Sequence, residues 1–143
     1  HLLRLALWQP LLTLGNPLLW MMPVAYSWLP VALMLRALST AAVVVPGAWI
    51  HALTMGALSS LMMAMMMRST LGHTGRNLVA SHMDMAAFTM LQVAALIRVI
   101  AVSSGSYQAL VILSGLAWVL AFALFMSRYL PMLVRPRVDG KPG

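Results

Sequence analysis

Four long apolar stretches dominate this sequence, and each contains at most two charged side chains. At a rise of about 1.5 Å per residue, a helix of about 20 such residues crosses the hydrocarbon core of a bilayer. Only 8% of the 143 residues are charged, against about a quarter in soluble domains. We therefore predict an all-α integral membrane protein with four transmembrane helices. The predicted helices cover residues 18–38, 46–68, 82–102 and 107–126.

Turn and cap residues set the boundaries of these helices. Asn16 is predicted to cap the first helix, with Pro17 at its first position, and residues 103–106 end the third. Pro23 and Pro30 lie inside the first helix, so we expect a kinked helix that packs against others. The remaining segments are predicted as an interfacial lead-in over 1–17, a cytoplasmic loop over 69–81 and a cytoplasmic tail over 127–143.

The basic residues predict the orientation of the helices. If the C-terminus is cytoplasmic, seven of the nine basic residues lie on the cytoplasmic side, and Arg36 and Arg98 lie on the outer side. This excess follows the positive-inside rule, so both termini are predicted to be cytoplasmic. The seven are Arg4, Arg68, Arg76, Arg128, Arg135, Arg137 and Lys141. Because the basic residues flank apolar stretches, the net charge of +7 indicates topology, and no nucleic-acid partner is predicted.

The two ends of the sequence differ in character. It begins with His1 rather than methionine, and no signal-peptide pattern follows. Residues 135–143 are polar and rich in turn-forming residues, as in a natural C-terminus. We therefore expect the chain to be the C-terminal part of a larger polytopic helical bundle, with the lipid bilayer and the rest of the same chain as its partners.

Two patterns lie on the second predicted helix. Small residues recur at four-residue spacing, which favours close packing against a neighbouring helix. They are Ala52, Gly56, Ser60 and Ala64. Five of the six residues 62–67 are methionine, and thioethers bind Cu(I). Because these methionines cover every side of the helix, ordinary packing is favoured over a copper site.

The histidines and the membrane arginines fall on two levels. Arg36, His51 and Arg98 all lie near the predicted outer ends of their helices. His73 and His82 lie near the inner face, in or beside the 69–81 loop. The two levels are separated by about 30 Å of hydrocarbon. His51 is therefore not expected to share a metal ion with His73 or His82.

The outer level has a structural and a functional interpretation. His51 is either an interfacial histidine bonded to backbone or water, or an axial ligand of haem iron or a copper ligand. Arg36 and Arg98 either extend to the aqueous surface or bind an anion, such as the propionates of haem, through charge-assisted hydrogen bonds. For His51 alone the structural interpretation is favoured, because a lone histidine has no spacing signal. Two arginines at its level strengthen the functional alternative more than any of the three residues alone.

The inner level contains the most distinctive local motif, Gly72-His73-Thr74-Gly75-Arg76. Its two glycines permit a tight turn at the end of the second helix. His73 and His82 are nine residues apart and share no helical face. A metal site that contains both histidines therefore requires the loop to fold back. The sequence leaves such a site as an open possibility.

The chemistry available to an enzyme is limited. Ser81 and Asp84 have the spacing of a capping box at the start of the third helix, although a pair between Asp84 and His82 also stays open. With two acidic residues in all and no P-loop or Gly-x-Ser-x-Gly motif, general acid–base hydrolysis is not predicted. The sequence leaves open whether the protein is an enzyme.

Several blocks of the sequence resemble the late membrane spans of the NnrS family. The similarity covers almost the whole chain, and the His-Ala-Leu-Thr and Gly-His-Thr-Gly-Arg blocks make it specific. The similar blocks are Arg4-Leu5, Trp8, Pro17 to Trp20, Tyr26 to Pro30, Leu35 to Ala37, His51 to Ala57, Met65 to Arg76 and Pro136 to Gly143.

The resemblance implies a multi-pass protein of the bacterial inner membrane that contains haem and copper. It also implies a role in denitrification and in resistance to nitric oxide, or nitrosative, stress. Family members have more spans than this chain. His51 and His73 are the matching histidines, and His82 matches less closely. Which of them binds haem and which binds copper stays open.

Three hypotheses follow from the sequence. The first is a haem- and copper-binding membrane protein of the nitric oxide response, with Arg36 and Arg98 as propionate partners. In this hypothesis His51 is the outer ligand, and His73 and His82 are the inner candidates. The second is a segment of a small-solute or ion transporter without metal, in which both arginines line a polar path. The third is a purely structural bundle whose polar residues only set topology.

Overall fold

The computed structural model describes residues 1–140 and consists of helices joined by short connections. After a short helix α1 (Leu2–Leu7) and a 3₁₀ turn (Pro10–Thr13), four long helices follow. They are α2 (Pro17–Thr40), α3 (Gly47–His73), α4 (His82–Ala101) and α5 (Tyr107–Leu133). Each is long and apolar enough to cross a membrane, and no strand occurs within residues 1–140. The predicted class, an all-α protein with four membrane-spanning helices, is confirmed.

The four long helices alternate in direction along the chain. We call the end that carries residues 74–81 and 134–140 the tail end, and the end that carries residues 41–46 and 102–106 the opposite end. Helix α3 packs against both α2 and α4, and α4 makes its most extensive contact with α5. Much of the surface of α5 is exposed and apolar, which suits contact with lipid or with further helices.

A polar contact ties three helices together near the middle of the bundle. The indole N–H of Trp28 donates to Oε1 of Gln92 at 2.7 Å, and Nε2 of Gln92 donates to the hydroxyl of Ser60 at 2.7 Å. Since an indole nitrogen only donates, Trp28 fixes which end of the Gln92 amide faces it. The apolar core lies on the tail side of this contact. It includes Leu18, Met21, Met63, Met67, Phe88, Leu91 and Phe125.

Local chemistry explains where the helices begin. The side chain of Asn16 accepts a hydrogen bond from the N–H of Leu18 at 3.1 Å, so Asn16 caps α2 as predicted. Ser81 and Asp84 form the predicted capping box of α4: the Ser81 hydroxyl accepts from the Asp84 N–H, and the carboxylate of Asp84 accepts from the Ser81 N–H. The acidic residue at the start of α4 thus has a structural role.

The end of α3 is a Schellman turn. Gly75 follows the C-cap with a φ of +72°, which is the conformation that glycine adopts without strain. The N–H of Arg76 donates to the carbonyl of Leu71, and the N–H of Gly75 donates to the carbonyl of Gly72. The Gly-His-Thr-Gly-Arg motif therefore forms the compact turn that its two glycines predict.

A π-helical segment interrupts α3 over Ala52–Ser59. The hydroxyl of Thr54 donates to the carbonyl of Ile50, and the hydroxyl of Ser59 donates to the carbonyl of Thr54. Widened turns of this kind are rare and occur often at functional sites. All four residues of the small-residue pattern on this helix are buried, and a Cβ at Gly56 would overlap the Trp28 indole ring. The pattern therefore provides the close approach of α2 to α3.

The lead-in before α2 and the end of α5 both differ from the sequence-based prediction. Residues 1–14 fold back along the first half of α2, so that Nδ1 of His1 lies 2.6 Å from the Tyr26 hydroxyl. Helix α5 ends at Leu133, whereas the predicted span ended at residue 126. Arg128, which was predicted in the cytoplasmic tail, therefore lies inside α5.

Candidate functional site

The opposite end of the bundle holds the three residues of the predicted outer level. Arg36, near the end of α2, lies over the ring of Trp49 with its guanidinium carbon 5.4 Å from the ring centroid. This distance is typical of a cation–π contact. His51 is half-buried on α3 and interacts electrostatically with Arg98 of α4. Trp49 and His51 are two residues apart on one helix and point in different directions. Of the two arginines, Arg98 is therefore the one whose charge acts on His51, whereas Arg36 contacts Trp49.

Arg98 is anchored against α5. Its Nε donates to the hydroxyl of Ser114 at 3.1 Å, and its Nη2 donates to the carbonyl of Val111 at 3.3 Å. The hydroxyl of Ser114 in turn donates to the carbonyl of Ala94 at 2.9 Å. Arg98 also lines a pocket of about 370 Å³ that includes Thr54, Met55, Ser59, Gly115 and Trp118.

Within residues 1–140, no carboxylate pairs with Arg98. The sequence has two acidic residues; Asp84 pairs with Arg128 and Asp139 pairs with Arg137, all at the tail end. A cation within a membrane-spanning helix is usually paired or faces a polar cavity. Arg98 satisfies part of its charge with a hydroxyl and a carbonyl, and its remaining N–H groups are available to an anion.

The inner-level histidines lie at the tail end, and both are exposed. His73 is the last residue of α3 and lines two pockets. The first, of about 420 Å³, also includes Met65 and Arg68, so a thioether and an imidazole share it. His82 is the first residue of α4. Across residues 1–140, no three His, Cys, Asp or Glu side chains come together as a metal site.

The tail end also contains a buried ion pair that the sequence did not reveal. Nε of Arg128 lies 2.9 Å from Oδ1 of Asp84, whose side chain is 1% exposed. Tyr129 is fully buried beside it and stacks on Phe125 with 4.7 Å between the ring centroids. The pair joins the start of α4 to the last part of α5. One signal in the sequence could have indicated this pair: a buried carboxylate such as that of Asp84 needs a cation as its partner.

The segment after α5 folds back over the turn that ends α3. The N–H of Val138 donates to the carbonyl of Thr74 at 3.3 Å, and Asp139 lies directly against Gly75. Arg137 binds both carboxylate oxygens of Asp139, at 2.9 and 2.6 Å. This contact raises the pKa of the Arg137 guanidinium above its usual value. The two most distinctive polar segments of the sequence are thus in direct contact.

Four apolar helices with polar side chains at defined depths define a multi-pass α-helical membrane protein. A family model described as NnrS protein matches residues 1–137. The chain therefore belongs to the NnrS family, as the resemblance of its motifs indicated. No curated protein and no solved structure matches the chain.

The donor set determines which cofactor these residues fit. Haem iron needs one or two axial ligands and donors for its carboxylates, and the half-buried His51 with Arg98 beside it fits one side of such a group. A metal ion held by three or more His, Cys, Asp or Glu side chains does not fit residues 1–140, because no such cluster occurs there. A copper ion at His73 or His82 would therefore need ligands of another kind, such as the Met65 thioether that shares a pocket with His73.

Proposed function

We propose that this chain is part of a haem- and copper-binding protein of the bacterial inner membrane that acts in the response to nitric oxide and in denitrification. The observation that carries this proposal is the match of the NnrS family model to residues 1–137. The arrangement of the chain as four apolar helices supports the membrane location.

In this proposal His51 supplies an axial nitrogen to haem at the opposite end of the bundle. Its position on a membrane helix, beside the π-helical segment Ala52–Ser59, supports this role. Arg98 and Arg36 would bind the haem carboxylates by charge-assisted hydrogen bonds. Neutral imidazole is a common haem ligand, and haem supplies redox and gas-binding chemistry when it is bound.

The same proposal assigns copper to the tail end. His73 shares a pocket with Met65, and an imidazole with a thioether suits Cu(I). His82 is the second candidate there and is exposed on the same end of the bundle. Arg68 in the same pocket disfavours a cation unless further anionic or neutral ligands join the site.

Growth under nitric oxide stress tests the role in cells. A strain that lacks the protein is complemented with the wild-type gene, with His51→Ala or with Gln108→Ala, an exposed polar residue at the start of α5. We expect wild type and Gln108→Ala to restore growth and His51→Ala to fail, at equal amounts of protein in the membrane. Full complementation by His51→Ala would remove His51 from the mechanism.

A second measurement separates this proposal from a transporter without metal. Purified full-length protein is analysed for iron and copper and then reconstituted into liposomes. Haem and copper in the purified protein support the proposal. Protein that is free of both and carries ions or small solutes across the bilayer would overturn it in favour of transport.

A further inference from the structure

His1 and Tyr26 form a hydrogen-bonded pair well inside the membrane region. Nδ1 of His1 lies 2.6 Å from the Tyr26 hydroxyl. Tyr26 is nine residues after Pro17, so at 1.5 Å per residue it lies about 14 Å along α2 from the tail end. Its side chain is 8% exposed, and its ring centroid lies 4.7 Å from that of Trp8. The phenol therefore has a fixed position and holds the imidazole at hydrocarbon depth.

The other nitrogen of the imidazole has no partner within residues 1–140. Nδ1 is engaged with Tyr26, while the His1 side chain is exposed. An unpaired polar nitrogen at this depth is costly in contact with lipid, and ionisable residues in such positions usually mark functional sites. Nε2 of His1 therefore requires a partner from outside these residues.

We propose that His1 is a metal ligand through Nε2 and that Tyr26 is its positioning residue, an inference that rests on the proposed metal-binding function. Histidines that bind a metal through one nitrogen almost always donate the other N–H to an acceptor, which fixes the tautomer and the ring orientation. With the proton on Nδ1, the His1 N–H donates to the Tyr26 oxygen and the lone pair of Nε2 is free. This is the ligand form of neutral imidazole, for haem iron or for a copper ion.

This site is separate from the one at His51. Arg36 contacts Trp49 near His51 and is ten residues beyond Tyr26 on α2. The two levels are therefore about 15 Å apart along the helix axis. Since bonds from metals to nitrogen are about 2 Å long, the two histidines bind different metal centres. No three His, Cys, Asp or Glu side chains of residues 1–140 come together as a metal site, so the other ligands of the His1 centre would come from outside these residues.

The simplest competing explanation is that the pair only fastens α1 to α2. A structural hydrogen bond would affect the amount of folded protein and leave the metal centres unchanged. A ligand pair would change metal content and spectra in protein that is still folded. Spectroscopic readouts therefore separate the two explanations.

The experiment uses purified full-length protein with His1→Gly and Tyr26→Phe. Leu2→Gly perturbs the same short helix without removing the imidazole, and Tyr107→Phe removes a hydroxyl from an exposed tyrosine at the opposite end. Haem is followed by the Soret band, and copper is followed by metal analysis and electron paramagnetic resonance. These two signals show which metal His1 binds.

We expect His1→Gly to lose the metal of one centre, seen as a lower haem or copper signal per mole of protein, and to regain it when free imidazole is added. Tyr26→Phe should retain the metal with an affinity about 10–100-fold lower, as for other partners of ligating histidines. The Tyr26→Phe variant keeps the ring contact with Trp8. It therefore still tests the inference if His1→Gly does not accumulate in the membrane. Both control variants should match wild type.

Wild-type metal content and spectra in both His1→Gly and Tyr26→Phe would overturn the inference. If His51→Ala still removed haem in that case, the proposed function would stand without this ligand. A wild-type protein that contains neither haem nor copper would overturn the inference and the proposed function together.

Discussion

Asp84 and Arg128 form an ion pair between the first turn of α4 and the last part of α5, with 2.9 Å between Oδ1 and Nε. Asp84 is almost fully buried, and its carboxylate also accepts from the N–H of Ser81 in the capping box that begins α4. The same carboxylate thus stabilises the start of α4 and its contact with α5. A buried charge that loses its partner is strongly destabilising.

Replacement of Arg128 tests this pair. Arg128→Met should lower the free energy of unfolding by about 3 kcal/mol, because the Asp84 carboxylate stays buried without a cation. Thermal unfolding in detergent measures the loss. Asp84→Asn combined with Arg128→Met should recover part of it, since the asparagine side chain is uncharged and its amide oxygen can still accept from the Ser81 N–H. Arg135→Met is the control: Arg135 is exposed, and a change above about 0.5 kcal/mol there would be unexpected.

The contact of Gly56 with the Trp28 indole predicts a contrast between two glycines of α3. Gly56→Ala should destabilise the protein by about 1–3 kcal/mol because the added Cβ overlaps the ring. Gly72→Ala adds a Cβ where nothing lies within 4 Å, and it should be neutral or stabilising by up to about 1 kcal/mol. The thermal stability of the two variants, measured in the same detergent, tests this contrast. Equal effects would contradict the close packing of α2 on α3.

The predictable parts of this fold are those governed by local sequence. The cap at Asn16 and the capping box of Ser81 and Asp84 follow from residues at most three positions apart. The small-residue pattern on α3 follows from spacing along one helix. The class of the protein follows from the length and apolar character of the four stretches.

The parts that sequence reasoning missed depend on distant residues. Arg128 was assigned to the tail because the apolar run ends near residue 126, yet its charge is neutralised by Asp84, 44 positions earlier. The His1 contact with Tyr26 spans 25 positions. The π-helical segment has no signature that propensity or periodicity recognises. The outer level was placed at one end of the bundle, but spacing alone did not show that Arg98 is the arginine whose charge acts on His51.

The docking of the tail on the α3 turn predicts a second glycine contrast. Gly75→Ala places a Cβ 2.7 Å from Cγ of Asp139 and also strains a φ of +72°. Gly140→Ala strains a similar φ of +69° with nothing within 4 Å. We expect Gly75→Ala to release the tail, seen as faster hydrogen exchange at the N–H of Val138 and faster proteolysis after Arg137. Gly140→Ala should leave both rates near wild type, and the reverse order would contradict the contact.

The absence of cysteine makes the orientation directly testable. Single cysteines at Ser104 and Asn77 lie at the opposite end and at the tail end, respectively. The positive-inside distribution predicts that a membrane-impermeant thiol reagent added outside the inner membrane labels Ser104→Cys and not Asn77→Cys. Permeabilised membranes provide the control in which both are labelled. Labelling of Asn77→Cys alone from outside would invert the predicted topology.

The central claim is that His51 holds a haem in this membrane protein, and the Soret absorbance per mole of purified full-length protein tests it most directly. The comparison is between wild type, His51→Ala and His82→Ala, which removes an exposed histidine at the other end of the bundle. We predict a Soret band in wild type and in His82→Ala and its loss in His51→Ala. An unchanged band in His51→Ala, or no band in wild type, would contradict the claim.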